Sequence, residues 1–300
     1  MVAKILVIGS SNTDMVIKTE HLPLPGETVL GGKFFMNPGG KGANQAVAAA
    51  RLGGQVTFVT KTGTDIFGEQ AIQQFRREGI NTKHIQSDAQ HPSGVALITV
   101  DSAGENCIAV APGANASLSL KDLHRAESEF QDCSVVLIQL EIPLTTVAHS
   151  LELARKNGKK VILNPAPAMA LPDDLLKNLF MITPNRSEAQ LLSGVVIKDE
   201  NSIKNAAQKL KEKGIENIII TLGAEGAFIY NDEISTRIPS VKVDAVDSTA
   251  AGDVFNAALA VALAEGKSLE VAVTFANKAA ALSVTRIGAQ SSAPYRKEVD

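Results

Sequence analysis

Short apolar runs alternate with longer segments of helical period along most of the chain. The runs Lys4–Ile8, Val56–Thr60, Val135–Leu140, Val161–Leu163, Met181–Thr183 and Ile218–Leu222 predict buried strands. Between them, apolar residues at helical spacing predict helices over Ala43–Leu52, Ile66–Glu78, Lys121–Ser128, Leu144–Lys156, Pro172–Asn178, Arg186–Leu192 and Ser202–Lys213. Gly53, Gly79, Gly158 and Gly214 stand where helices end. Continuous apolar strands alternating with helices predict an α/β fold whose mostly parallel sheet is covered on both faces.

Two parts break the alternation. Residues 15–36 and 93–110 read as short strands, MVIKTE, TVLGGKFFM, GVALITV and NCIAV, joined by turn elements such as PLPGE and DSAGEN. They predict a small antiparallel sheet projecting as a lid from a single domain that spans residues 1–300. Its exposed face is expected to carry Ile17, Phe35, Val95, Leu97 and Ile108, and an exposed apolar face implies a ligand or a partner.

Composition narrows the function. The 300 residues are 45% hydrophobic and 20% charged, ordinary for a soluble globular protein. A net charge of −3 with no basic run argues against nucleic acid. Cys107 and Cys133 form no CxxC pair, and no two histidines have zinc-ligand spacing; a reduced cytoplasmic setting is expected. Ile5–Ile8 reads as a buried strand and not as a signal peptide, and no run of about 18 apolar residues offers a membrane span. With aromatics at 4%, a carbohydrate site would have to work through hydrogen bonds.

Such groups gather at the strand ends: Gly9-Ser10-Ser11-Asn12-Thr13-Asp14, Glu141, Asn164, Asn185 and Leu222-Gly223. In open parallel sheets this edge is where ligands bind. Two segments of small residues open helices. Asp247-Ser248-Thr249-Ala250-Ala251-Gly252-Asp253 precedes VFNAALAVALAEG, and its small side chains leave room for an anion at the helix N-terminus. Ser, Thr and Asp also serve there as ordinary caps. An acid beside an anion site points to phosphate chemistry, with Asp253 receiving a proton; at a helix N-terminus its pKa is expected to be low. The second segment, NPGGKGANQAVAAARLG, is likewise expected to leave backbone uncovered at a helix start, with Lys41 and Asn44 at the mouth. It is neither a GxxxxGK[ST] loop nor GxGxxG, which counts against a P-loop NTPase and a dinucleotide dehydrogenase.

The order SNTD, GGKGAN, QLE, NPAP, TPNRSE, TLGAEG, DSTAAGD, TRIGAQSS resembles the ribokinase branch of the PfkB sugar kinase family over essentially the whole chain. The resemblance implies an α/β sandwich with a β lid, and transfer of the ATP γ-phosphoryl group to the 5-hydroxyl of D-ribose. It implies that Asp253 is the catalytic base and that the N–H groups of Ala250, Ala251 and Gly252 form an anion hole. Asn12, Asp14, Gly40, Lys41, Asn44, Glu141 and Asp253 fall on ribose positions. Asn185, Thr221, Gly223, Gly226, Gly252 and Asn277 fall on ATP positions. Glu188 falls on a position linked to Mg²⁺ through water. Asp247, Thr249, Ser283, Arg286, Gly288 and Ser292 match positions holding a monovalent cation, usually K⁺, several through main-chain carbonyls. Asn12 favours ribose over deoxyribose, since deoxyribose-preferring relatives tend to carry an apolar residue there. Kinases for deoxyribose, fructose-type sugars or nucleosides are the alternatives, as is a non-catalytic sugar-binding relative. A homodimer through the lid is expected, with no nucleic-acid or membrane partner.

Overall fold

The computed structural model describes residues 3–300. Its strands, in chain order, are β1 (Lys4–Ile8), β2 (Asn12–Lys18), β3 (Lys33–Gly39), β4 (Gln55–Gly63), β5 (Ile85–Asp88), β6 (Gly94–Val100), β7 (Asn106–Ala111), β8 (Val135–Ile138), β9 (Lys160–Leu163), β10 (Met181–Ile182), β11 (Asn217–Thr221), β12 (Ala227–Tyr230) and β13 (Ser235–Ile238). Nine form one sheet in the order β13-β12-β11-β10-β9-β8-β1-β4-β5. From β11 to β5 every neighbour is parallel; β12 and β13 extend the sheet antiparallel.

The strands are apolar throughout because they serve two cores at once. Ile5 and Val7 of β1 face a core made with the helices Lys41–Arg51, Ala251–Ala264 and Leu269–Ser283. Leu6 and Ile8 face the opposite core, shared with Leu144–Lys156, Arg186–Ser193 and Glu200–Glu212. Helix Ala251–Ala264 is buried nearly all round, which fits its alanine-rich and leucine-rich sequence. The helix expected over Lys121–Ser128 is two short ones, Leu120–Arg125 and Glu127–Asp132, parted at Ala126.

The second sheet has the order β3-β2-β6-β7. Hairpins β2–β3 and β6–β7 are antiparallel, and the two hairpins meet through the parallel pair β2–β6. Register corrects the expected exposed face. Ile17, Val95 and Leu97 share one side with Phe34 and Met36, whereas Phe35 and Ile108 lie on the other side with Asn12, Asp14 and Val16. Side chains alternate strictly along a strand, so a one-residue difference in register reverses the face. The first side is open: Phe34 is 61%, Met36 51% and Leu97 57% exposed; on edge strand β7 of the other side Ile108 is also exposed, as expected, at 53%. Among the described residues no helix is long and apolar enough to cross a membrane.

Candidate active site

Parallel β1, β8, β9, β10 and β11 deliver their carboxyl ends to one edge of the main sheet. Asp253 lies there, in the first turn of helix Ala251–Ala264, and is only 5% exposed. Its carboxylate does not cap its own helix. Oδ2 accepts from Asn44 Nδ2 and Oδ1 from Gln45 Nε2, both at 2.9 Å, so helix Lys41–Arg51 grips it from across the site. The expectation of a low pKa is overturned. Burial raises it, outweighing the Lys41 ammonium and the two amide donors, and Glu141 adds to the rise. Desolvation acts on the whole charge, while a helix end contributes modestly.

The backbone ahead of Asp253 is unusual. Ala250 has φ 60° and ψ 11°, a left-handed conformation that costs a non-glycine residue of order 1 kcal/mol. Ala251 N–H donates to the Ser248 carbonyl at 3.2 Å. Among the described residues, the N–H groups of Ala250 and Gly252 meet no backbone or side-chain acceptor. A Cβ built on Gly252 would meet no atom within 4 Å, so the protein's own packing does not demand glycine there. Asn256 steadies the turn: Nδ2 donates to the Gly252 carbonyl at 2.8 Å, and Oδ1 accepts from Thr183 Oγ1 at 2.6 Å.

The other glycine-rich helix start departs from expectation: its N–H groups are covered. Lys41 N–H donates to Glu141 Oε2 at 3.0 Å, Gly42 N–H to Ser10 Oγ at 3.3 Å and Ala43 N–H to the Ser10 carbonyl at 2.8 Å. Ser10 Oγ in turn donates to Glu141. The glycines make room for main chain: a Cβ on Gly42 would lie 2.5 Å from Ser10 N, and one on Gly40, at φ 87°, 2.7 Å from Asn12 N.

This close approach gathers the residues expected at the sugar. Asn12 and Asp14 reach in from β2, on the inner side of the small sheet. Asp14 is pushed up to about 6 by burial, with Glu141 and Asp253 adding to the rise and Lys41 opposing it. Burial disfavours the Lys41 ammonium, but Asp253, Glu141, Glu188 and Asp14 overcome it and raise its pKa. Asn44 Oδ1 is buried without a protein partner, an acceptor aimed at nothing in the chain itself.

A cleft of 660 Å³ adjoins the Ala251–Gly252 turn and is lined by Thr221, Gly223, Gly226 and Asn277. Val241, Val243, Phe255 and Val284 supply an apolar lining that the sequence reading did not anticipate. Asn185 is not in that lining. It caps helix Arg186–Ser193: its Oδ1 accepts from Glu188 N–H at 2.9 Å, and its own N–H donates to Glu188 Oε2 at 2.8 Å. A second cleft, 620 Å³, opens beside Lys4, Gln55 and Glu129 at the amino ends of β1 and β4, the wrong end for a ligand of a parallel sheet.

Among the described residues no three His, Cys, Asp or Glu side chains are grouped to hold a metal. Glu188 keeps Oε1 outside its capping bond and is buried near Lys41 and Asp253, with burial raising its pKa. It fits a single water-mediated contact to an ion that travels with phosphates. Asp247 takes Thr249 N–H on Oδ1 at 2.9 Å and Gly288 N–H on Oδ2 at 2.8 Å, joining two of the segments expected around a monovalent cation. Side chains there turn elsewhere: Arg286 pairs with Glu298, Ser283 Oγ with the Ala280 carbonyl, and Ser292 Oγ with the Ala289 carbonyl. A cation there would therefore depend on Asp247 and main-chain carbonyls, hard donors that suit an alkali ion.

Several residues were missed. Asn115 Nδ2 donates to Asn12 Oδ1 at 2.7 Å while its Oδ1 accepts Ser11 N–H at 2.9 Å, fixing the Asn12 amide. Gln45 and Gln139 are fully buried beneath Asp253. The available signal was a polar residue inside an otherwise apolar element, as in VVLIQL.

A strained, unsatisfied helix start beside a buried carboxylate, next to a cluster of polar side chains and a cleft of 660 Å³, is the layout of a phosphotransferase acting on a small polyol. Residues 2–296 match the sequence pattern of the pfkB family carbohydrate kinases, and the chain belongs to that family of sugar kinases. It is 46% identical over 292 residues to a ribokinase of Haemophilus influenzae, covering 97% of this chain and 95% of that protein. It is 39% identical over 291 residues to a deoxyribokinase of Salmonella typhimurium, with coverage of 97% and 95%. The structure of Arabidopsis thaliana ribokinase complexed with ribose and ATP superposes with a TM-score of 0.92 at 31% identity, covering 100% of this chain and 98% of that one.

Proposed function

We propose that this sugar kinase transfers the γ-phosphoryl group of ATP to the 5-hydroxyl of D-ribose, giving ribose 5-phosphate and ADP. The observation that carries the reading is the pairing of buried Asp253 with the unsatisfied N–H groups of Ala250 and Gly252. Asn12, Asp14, Lys41, Asn44 and Glu141 bind the sugar hydroxyls and aim one at the γ-phosphorus. Asp253 takes the hydroxyl proton as the new P–O bond forms and the bond to the ADP oxygen breaks. Raised by burial, it is a better base than a free aspartate. The N–H groups receive charge spreading over the transferring phosphoryl. Mg²⁺ bound with ATP would neutralise phosphate charge, and Glu188 would contact it through water. K⁺ at Asp247 would stiffen the loop that presents the N–H groups.

Asn12 favours ribose over deoxyribose because a site built to bond a hydroxyl rejects an analogue lacking it. The inner side of the β2-β3-β6-β7 sheet closes over the sugar and excludes water. Its outer side, with Phe34, Met36 and Leu97, packs against the same face of a second copy, and sedimentation should show a dimer at micromolar concentration. The unpaired Cys107 and Cys133 fit a cytoplasmic setting. The test is an ADP-release assay across ribose, deoxyribose, fructose and nucleosides, with and without K⁺. Ribose with K⁺ should give the highest kcat/KM; a higher value for deoxyribose or a nucleoside would reassign the substrate.

A further inference from the structure

Both donors to Asp253 stand side by side on helix Lys41–Arg51, yet they differ in kind. Asn44 keeps a free oxygen, while Gln45 is fully buried and has all its polar atoms engaged. Gln45 Nε2 donates to Asp253 Oδ1 at 2.9 Å and to Asn164 Oδ1 at 3.1 Å, and its Oε1 accepts from Gln139 Nε2. These contacts come from the ends of β8 and β9 and from the helix that carries Asp253. Gly9 makes room for the Gln139 side chain: a Cβ there would lie 2.0 Å from Oε1, the one atom of that amide that is buried without a protein partner. The orientation of the Gln45 amide follows from its partners, since turning it over would set its oxygen against two acceptors.

Four buried side chains tied this way are costly to desolvate, and an apolar core would avoid that cost. Only one end of the relay reaches reacting chemistry. We propose that Gln45, held by Gln139 and Asn164, is a positioning residue for the base: it fixes the plane of the Asp253 carboxylate and favours its ionised form. An ionised carboxylate has about four acceptor positions, so two are left for the hydroxyl proton after Asn44 and Gln45 have bound. The charged groups facing Asp253 are Lys41 from the same helix as Gln45, Asp14 from β2, Glu141 after β8 and Glu188 from helix Arg186–Ser193. None of them replaces an amide donor at Oδ1.

The inference rests on Asp253 being the base, and the experiment separates the two. In the full chain with ribose and ATP, Gln45→Met should lower kcat about ten- to a hundredfold while both KM values stay within about threefold. The acid limb of its kcat–pH profile should move to higher pH, because a carboxylate that loses a donor holds its proton more tightly. Gln139→Met leaves the donor in place but frees it, and should move both quantities the same way by less; it decides the matter if Gln45→Met does not fold. A folded variant with unchanged kcat and acid limb would overturn the proposal, as would a loss equal at every pH, which is what a merely structural role gives. Asp253→Ala is the control. If it keeps turnover, the base assignment fails; if it is inactive while Gln45→Met is normal, only the positioning role fails.

Discussion

Helices Lys41–Arg51 and Ala251–Ala264 begin alike in sequence, each among small residues, and the chain uses the two starts in opposite ways. At the first, Glu141 and Ser10 absorb the N–H groups, and the missing side chains let the Gly9–Asn12 backbone cross at close range. At the second, the backbone is bent into a left-handed step at Ala250 and donors are left over. The first is therefore a close-packed junction that places Asn12, Lys41 and Asn44, and the second is the start we propose as the anion site. A small-residue pattern says that something approaches closely; it does not say whether that is a ligand or the protein's own main chain.

The largest effect expected is at the carboxylate of the second start. Asp253→Ala should lower kcat by about a thousandfold or more, while ribose binding measured by calorimetry changes by less than about tenfold. Equal losses in rate and affinity would mean that Asp253 binds sugar and does little else.

Adding one methyl group to each start should break different properties. Gly42→Ala places a carbon 2.5 Å from Ser10 N and should cost about 2–4 kcal/mol in denaturant unfolding. Gly252→Ala meets nothing in the protein and suits a helix, so stability should hold or rise by about 0.5 kcal/mol. Its kcat should still fall about a hundredfold, because the methyl takes the space of the transferring phosphoryl group. A destabilised Gly252→Ala, or a stable Gly42→Ala, would erase the contrast.

The smallest effect concerns charge around the first start. Asp14 titrates near 6 in the folded chain against an ordinary value of 3.8. The folded state thus binds this proton more tightly than the unfolded state, so ionising Asp14 costs stability as pH rises from about 4 through about 6. Asp14→Asn should raise the stability of the sugar-free protein by about 1–2 kcal/mol at pH 8 and by almost nothing below pH 4, while weakening ribose binding. Thermal unfolding at the two pH values checks the sign.

Much of the fold was legible because buried strands and capped helices write their period directly into the sequence; Lys4–Ile8 and Leu144–Lys156 needed no tertiary information. Strands β12 and β13 and the helix Leu269–Ser283 went unread, the strands for being short and at a sheet edge, the helix for having small residues on most sides. Asp253 stood out by its local setting. Gln45, Asn115 and Gln139 did not, since their partners lie 94 to 208 residues away along the chain. The direction of the Asp253 pKa was missed for the same reason: it depends on how completely distant segments close over it.

The most direct test of the central claim is a crystal structure of the chain with ribose, ADP, Mg²⁺ and aluminium fluoride. The account predicts the fluoride group on the N–H groups of Ala250 and Gly252, with an Asp253 oxygen within hydrogen-bond reach of the ribose 5-hydroxyl. A fluoride group seated at Lys41–Ala43 instead, or an Asp253 carboxylate bound only to Asn44 and Gln45 and turned from the sugar, would contradict it.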